Sequence, residues 1–238
     1  MKKLITLLSV AFLFSGCDVV HQIAKDSGVA LPGALSNEEA GRGIKEALAQ
    51  GIVKSVLQLN TQDGFFKDEL YKVLLPPDAR KAENTLRSLG LNAMVDKAIL
   101  QINRGAEDAA GFAKPIFVDA IKNMSLGDAI GLIRNGDTSA THFFREKTTE
   151  KLMAAFAPEI QKSLNKVDAT KYYGDIVNKY NNLPVVNKKI NPDLKAYVTE
   201  RATDALFNLI AKEEVNIRTN LLARTTDLLK RVFGGAYK

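Results

Sequence analysis

The length, composition and charge of the chain exclude several classes of protein. It has 238 residues, of which 46% are hydrophobic and 25% charged, so it can bury a sizeable core and is neither broadly disordered nor membrane-embedded. The formal net charge is +6, without the stripe of basic and aromatic residues that nucleic-acid-binding surfaces use. We therefore expect one globular domain and no nucleic-acid partner.

The N-terminus has the pattern of a secretory signal peptide. Two lysines follow Met1, and residues 4–14 are apolar except for Thr6 and Ser9, which is the length of a signal-peptide core. A membrane-spanning helix needs about 20 apolar residues, so this run is too short for one. We predict a lipoprotein signal peptide over residues 1–16, whose removal lowers the net charge from +6 to +4 because two lysines and no acids are lost.

The predicted signal peptide ends at a sequence that resembles a lipobox. Ser15 and Gly16 are small residues immediately before Cys17, although Phe14 stands where lipoboxes most often have leucine. We expect attachment of diacylglycerol to the Cys17 thiol, cleavage between Gly16 and Cys17, and further acylation, for example by palmitate, at Cys17. The alternative is an ordinary signal peptide followed by a chance cysteine. Against it, Cys17 is the only cysteine, so it has no intramolecular disulfide partner in an oxidising compartment.

Acylation at Cys17 predicts a location in the bacterial cell envelope, with the membrane as a partner and the domain in the periplasm. Asp18 resembles the signal that keeps lipoproteins of enteric-type bacteria in the inner membrane, which favours the inner over the outer membrane. Residues 17–35 contain glycines and a proline without sustained periodicity, so we expect a lipidated N-terminus and flexible tether there. Residues 36–238 are then the folded domain.

Helical periodicity predicts an all-α fold, a single multi-helix bundle-like domain behind the signal peptide and tether. Ser36 and Glu39 have the spacing of a capping box, which starts a helix that runs to about residue 59. Along this helix small residues recur at a spacing of four, either as a ridge that another helix approaches closely or merely as tolerated substitutions. They are Gly43, Ala47, Gly51 and Ser55.

The middle of the chain mixes helical patterns with glycine and proline. Within residues 65–75, the run 73–75 fits a short extended piece as well as a helix end, whereas Pro77 starts a helix that Gly90 ends. From 91 to 124, apolar or small residues recur in steps of three or four. Pro115 predicts a kink or break within this stripe, because proline has no amide hydrogen to donate.

Further helices are predicted in the C-terminal half. They are a short helix after Ser125, a long one over 137–167 interrupted at Pro158, and helices over 168–182, 193–216 and 221–233. The last is amphipathic and basic. It either docks on the domain through its leucines, which we favour, or lies on an anionic membrane.

Several segments together resemble the bacterial family called domain of unknown function 4197, over residues 35–234. They are residues 43–48, 63–65, 103–109, 120–124 with 128–129, 140–141, 213–214 with 217–218, and 228–234. The resemblance implies a helical exported protein, often a lipoprotein, with no established activity. Two positions depart from the family: Gly105 stands where alanine is usual, and Leu221 where proline usually follows the asparagine.

The sequence contains no pattern that predicts a catalytic residue, a cofactor or a metal site. The two histidines, His21 and His142, belong to no cluster with the spacing of metal ligands, and no Gly-x-Ser-x-Gly nucleophile turn occurs. The single thiol is assigned to lipid. Paired carboxylates remain, but they arise by chance in any helical protein with 27 acidic residues.

Two groups of polar residues are candidates for a site. Asn103, Arg104 and Glu107 lie within the apolar stripe of one helix, and Glu214 and Arg218 repeat a similar spacing on another. They are either solvated surface ion pairs or a polar network between helices that fixes their register or lines a ligand groove.

The leading functional hypothesis is a lipid-anchored, non-catalytic helical module that binds another envelope protein or a small ligand. One alternative is an envelope hydrolase, which requires a cleft with two or more carboxyl groups of raised pKa. Another is a structural protein that self-associates.

Overall fold

The computed structural model describes residues 35–131, 136, 138–184, 186–191 and 193–234. Within them it contains eight α-helices and no strand, so the all-α prediction is confirmed. The helices are α1 (Asn37–Leu59), α2 (Arg80–Ser88), α3 (Asn92–Asn123), α4 (Leu126–Gly131), α5 (Ser139–Lys166), α6 (Ala169–Asn181), α7 (Lys195–Thr219) and α8 (Asp227–Phe233). The predicted signal peptide, Gly16, Cys17 and Asp18 lie outside the described residues.

Helix α1 begins at the predicted capping box. The Glu39 backbone N–H donates to Ser36 Oγ over 3.1 Å, and the Ser36 N–H donates to the Glu39 carboxylate over 3.0 Å. The ridge of small residues is confirmed as a packing surface. A Cβ on Gly43 would lie 2.5 Å from Val232 of α8, and one on Gly51 3.2 Å from Ile210 of α7. The missing side chains therefore allow both helices to approach α1 closely.

The core centres on three phenylalanines from three long helices. Phe117 of α3, Phe144 of α5 and Phe207 of α7 are fully buried, and their ring centroids lie 5.3 to 6.2 Å apart. Helix α3 also packs against α1 and α6. Burying each aromatic side chain contributes roughly 1.5 to 3 kcal/mol, so this cluster fixes the arrangement of α3, α5 and α7.

The predicted break at Pro115 and the predicted interruption at Pro158 are wrong. Both prolines lie within continuous helices, α3 and α5. Each proline is exposed, so its ring lies outside the packed face of its helix. The opposite faces, which carry Phe117 and Phe156, are buried without interruption.

The prediction of one continuous terminal helix over residues 221–233 is also wrong. The Asn220 side chain accepts from the Leu222 N–H and begins a 3₁₀ turn over Leu221–Ala223, and the Thr226 hydroxyl then caps α8. The two parts differ in burial, because Leu222 is 90% exposed whereas Leu229 and Val232 are buried. The predicted docking on the domain is therefore confirmed for α8. Among the described helices, none is long and apolar enough to cross a bilayer.

Candidate functional site

A groove of about 550 Å³ lies between the C-terminal half of α3, α4 and the first half of α5. Its apolar lining comes from Ile116 and Met124 on one side and from Phe143, Phe144 and Leu152 on the other. Phe144 belongs to the central aromatic cluster, so the floor of the groove is part of the rigid core.

The remaining lining of the groove is polar and carries both signs of charge. Asp119, Asp128, Lys147 and Lys151 contribute two carboxylates and two ammonium groups. The Ser125 hydroxyl donates to Asp128 over 2.6 Å, which holds this carboxylate at the start of α4. The groove therefore combines an apolar floor with charged groups, an arrangement that suits an amphipathic ligand.

The wall formed by α5 is held in place by a glutamate from α7. Glu214 accepts from the backbone N–H groups of Ala140 over 3.1 Å and Thr141 over 2.8 Å, and from the Thr141 hydroxyl over 2.6 Å. It thus caps the first turn of α5, whose own N-cap residue makes no side-chain cap. Arg218 donates to the same carboxylate over 2.7 Å. We call Thr141, Glu214 and Arg218 the Glu214 network.

A second glutamate holds the segment between α1 and α2. Glu107 of α3 accepts from the backbone N–H groups of Phe65 and Phe66, each over 3.1 Å. Arg104 bridges this carboxylate to Asp63, to which it donates over 2.7 Å. Asp63 has a positive φ of 70°, so the chain turns sharply at the point that Arg104 contacts.

Asn103 continues this attachment along the same segment. Its side-chain amide accepts from the Val73 N–H and donates to the Val73 carbonyl, both over 2.8 Å. Residues 72–76 belong to no helix or strand, and residues 71–75 alternate between buried and exposed, which favours the short extended piece over a helix end for residues 73–75. We call Asp63, Asn103, Arg104 and Glu107 the Glu107 network.

The sequence-predicted site residues thus occupy two networks that share no residue. Glu107 and Glu214 are both buried, and each satisfies two backbone N–H groups of another element. None of the five predicted residues lines the groove, so a direct role for them in ligand binding stays a prediction.

The model of the family described as protein of unknown function, DUF4197, matches residues 34–234. The chain belongs to the DUF4197 family. No curated protein and no solved structure matches it. What this DUF4197 protein binds must therefore be inferred from the geometry of its own residues.

Sequence reasoning missed the groove of this DUF4197 protein, although α5 carries a signal for it. Phe143, Lys147 and Lys151 recur at a spacing of four, which places an aromatic ring and two ammonium groups on one face of the helix. The Lys147 ammonium lies 5.6 Å from the centroid of the Phe143 ring.

Four carboxyl groups of this DUF4197 protein have clearly shifted pKa values. Those of Glu39, Asp63, Asp108 and Glu213 are all lowered. Burial, which raises the pKa, is the largest single effect at Asp108 and Glu213, but hydrogen bonds from neighbouring donors together outweigh it. None of the four lines the groove. The described residues also contain no cluster of three or more side chains suited to a metal ion.

Proposed function

We propose that this DUF4197 protein is a lipid-anchored, non-catalytic envelope module that binds a small amphipathic ligand in the groove between α3 and α5. The observation that carries the proposal is the groove itself. Its volume of about 550 Å³ lies within the range of roughly 300 to 1,000 Å³ that small-molecule sites occupy.

The lining of the groove defines the chemistry of the ligand. An apolar body would lie on Ile116, Phe143 and Leu152, where its burial displaces water from apolar surface. A charged end would reach Lys147 or Lys151, or, for a zwitterion, an aspartate as well.

The envelope location and the anchor rest on the sequence. The basic and apolar stretch of residues 1–16, the small residues before Cys17 and the single cysteine all support a diacylglycerol anchor, with Asp18 favouring the inner membrane. A tether over residues 17–35 would leave the groove accessible to ligands in the periplasm.

Filling the groove tests the binding proposal. The probe is anilinonaphthalene sulfonate, which joins an apolar body to one anionic group. Ala155 lines the groove and is exposed, so Ala155→Phe should fill it without disturbing the core. Its neighbour Ala154 is exposed but does not line the groove, which makes Ala154→Phe the matched control.

We expect saturable probe fluorescence with the unmodified protein, an affinity lowered about tenfold or more by Ala155→Phe, and no comparable change with Ala154→Phe. Equal affinities in all three proteins would place the probe elsewhere and contradict the proposal.

The anchor has a separate test. Cys17→Ser removes the thiol that forms the thioether, so metabolic labelling with palmitate should disappear from this variant and persist in the unmodified protein. Labelling that is unchanged in Cys17→Ser would show that Cys17 does not carry the lipid.

A further inference from the structure

A second cavity, of about 250 Å³, lies between the extended segment before α2 and helix α7. Three cations line it, Lys72, Arg80 and Arg201, against a single acid, Asp204. That acid is already engaged, because both Arg145 and Arg201 donate to it. The cavity lining therefore carries a net positive charge.

Two of these cations have no carboxylate partner in the described part of the chain. Neither Lys72 nor Arg80 takes part in a salt bridge there, whereas Arg201 contacts Glu200 and Asp204. The Lys72 ammonium instead lies 4.4 Å from the centroid of the Phe66 ring. Cations left without carboxylates around one cavity are available to an external anion.

Two tyrosines also line the same cavity. Tyr71 is buried, and its hydroxyl has no hydrogen-bond partner among the described residues. At Tyr197, burial raises the pKa more than the nearby Arg201 and Arg80 lower it, which keeps this phenol protonated and able to donate.

We infer that this cavity is a binding site for a phosphate group, supplied either as free phosphate or as the headgroup of an anionic lipid. A phosphate offers several acceptor oxygens, which suits an arginine fork, an ammonium group and phenolic donors. The volume leaves room for a group attached to the phosphate.

The rim of the cavity favours the lipid as the source. Leu70 and Leu74 line it and are 76% and 46% exposed, while the residues between them alternate, with Tyr71 and Val73 buried and Lys72 exposed. Asn103 fixes this alternation by holding both backbone groups of Val73. Exposed leucines beside cations are the combination that docks proteins on anionic bilayers.

The test uses the chain from residue 17 onward with Cys17→Ser, so that neither an acyl chain nor the basic and apolar residues 1–16 contribute to binding. Lys72→Gln with Arg80→Gln removes the two cations that have no carboxylate partner. Lys188→Gln with Lys189→Gln is the matched control. Both lysines are exposed and lie outside the cavity lining, and their substitution removes the same charge as the cavity variant does. Inorganic phosphate is titrated by calorimetry, and sedimentation is measured with phosphatidylglycerol-containing and with pure phosphatidylcholine vesicles.

We expect the Lys72/Arg80 variant to lose about tenfold or more in affinity and the control to stay within about twofold. Binding of both probes would identify the phosphate group itself as sufficient, and binding of the phosphatidylglycerol vesicles alone would identify the lipid headgroup. The inference is overturned if neither probe binds, or if the control variant loses as much affinity as the cavity variant. Ala155→Phe should leave phosphate binding unchanged, because this cavity and the groove share no residue.

Discussion

The Glu107 network and the Glu214 network use the same chemistry to hold different kinds of structure. In each, a buried glutamate accepts from two backbone N–H groups and pairs with an arginine on its own helix. The Glu214 network caps a helix that supplies its own hydrogen bonds beyond the first turn. The Glu107 network holds an extended, non-helical segment whose backbone depends on α3 side chains.

The arginines differ as well. The Arg218 side chain is 10% exposed, whereas that of Arg104 is 24% exposed and is shared with Asp63. We therefore expect the buried Glu214 network to contribute to the stability of the whole domain. The more exposed Glu107 network should instead contribute to the local order of the segment that it holds.

The largest effect is expected from Glu214→Ala. It removes the acceptor of the Ala140 and Thr141 N–H groups and the carboxylate beside buried Arg218, and breaking such a pair costs about 3 to 5 kcal/mol. Chemical denaturation should show this loss over the whole domain. Glu200→Ala, at an exposed site on the same helix, should change the free energy of unfolding by less than about 0.5 kcal/mol. Equal losses in the two variants would mean that the Glu214 network is not a stabilising cap.

Glu107→Ala should have a smaller and more local effect. Two N–H groups lose their acceptor, but Arg104 keeps Asp63 and reaches solvent, so we expect a loss of about 2 kcal/mol. Amide hydrogen exchange should accelerate in residues 63–75 and not at the start of α5, the reverse of the Glu214→Ala pattern. The same exchange pattern in both variants would contradict the claim that the two networks stabilise different parts of the domain.

Asn103→Leu tests whether the Glu107 network holds the extended segment around Val73. The leucine has a similar size but leaves the Val73 N–H and carbonyl without their partner, at a cost of about 1 to 2 kcal/mol. We expect faster exchange at Val73 with α3 still protected. A variant as stable as the unmodified protein would show that this segment does not need the amide.

The smallest expected effect is the pH-dependent contribution of the Asp63 carboxylate to stability. The pKa of Asp63 is lowered from its ordinary 3.8, first by a hydrogen bond from Lys67 and then by one from Arg104. A lowered folded-state pKa contributes stability that is present above the ordinary value and lost as the pH falls through the folded value. The melting temperature of Asp63→Asn should therefore lie below that of the unmodified protein at neutral pH, and the difference should shrink below pH 3.8. A difference in melting temperature that stays constant as the pH falls well below 3.8 would exclude the Asp63 charge as its cause.

The helices could be predicted from local signals in the sequence. The capping box at Ser36, the small-residue ridge of α1 and the helix end at Gly90 depend on residues close together in the chain, whereas the end of α7, predicted at about residue 216, lies at Thr219. The effects of Pro115 and Pro158 could not be predicted, because they depend on which face of each long helix is buried.

The candidate sites depended on contacts between residues far apart in sequence. Glu214 caps a helix more than 70 residues before it, so spacing along α7 showed the ion pair with Arg218 but not its N–H partners. The groove and the cationic cavity each combine several elements, and only the spacing of Phe143, Lys147 and Lys151 gave a local sign of either.

The central claim is that the groove between α3 and α5 binds the ligand while the two polar networks hold the structure around it. Amide hydrogen exchange of the unmodified protein, with and without anilinonaphthalene sulfonate, tests it most directly. We predict added protection in the segments 116–128 and 143–155, which contain the residues that line the groove, and no change in residues 63–75. Protection confined to residues 63–75, or spread evenly over the domain, would contradict the claim.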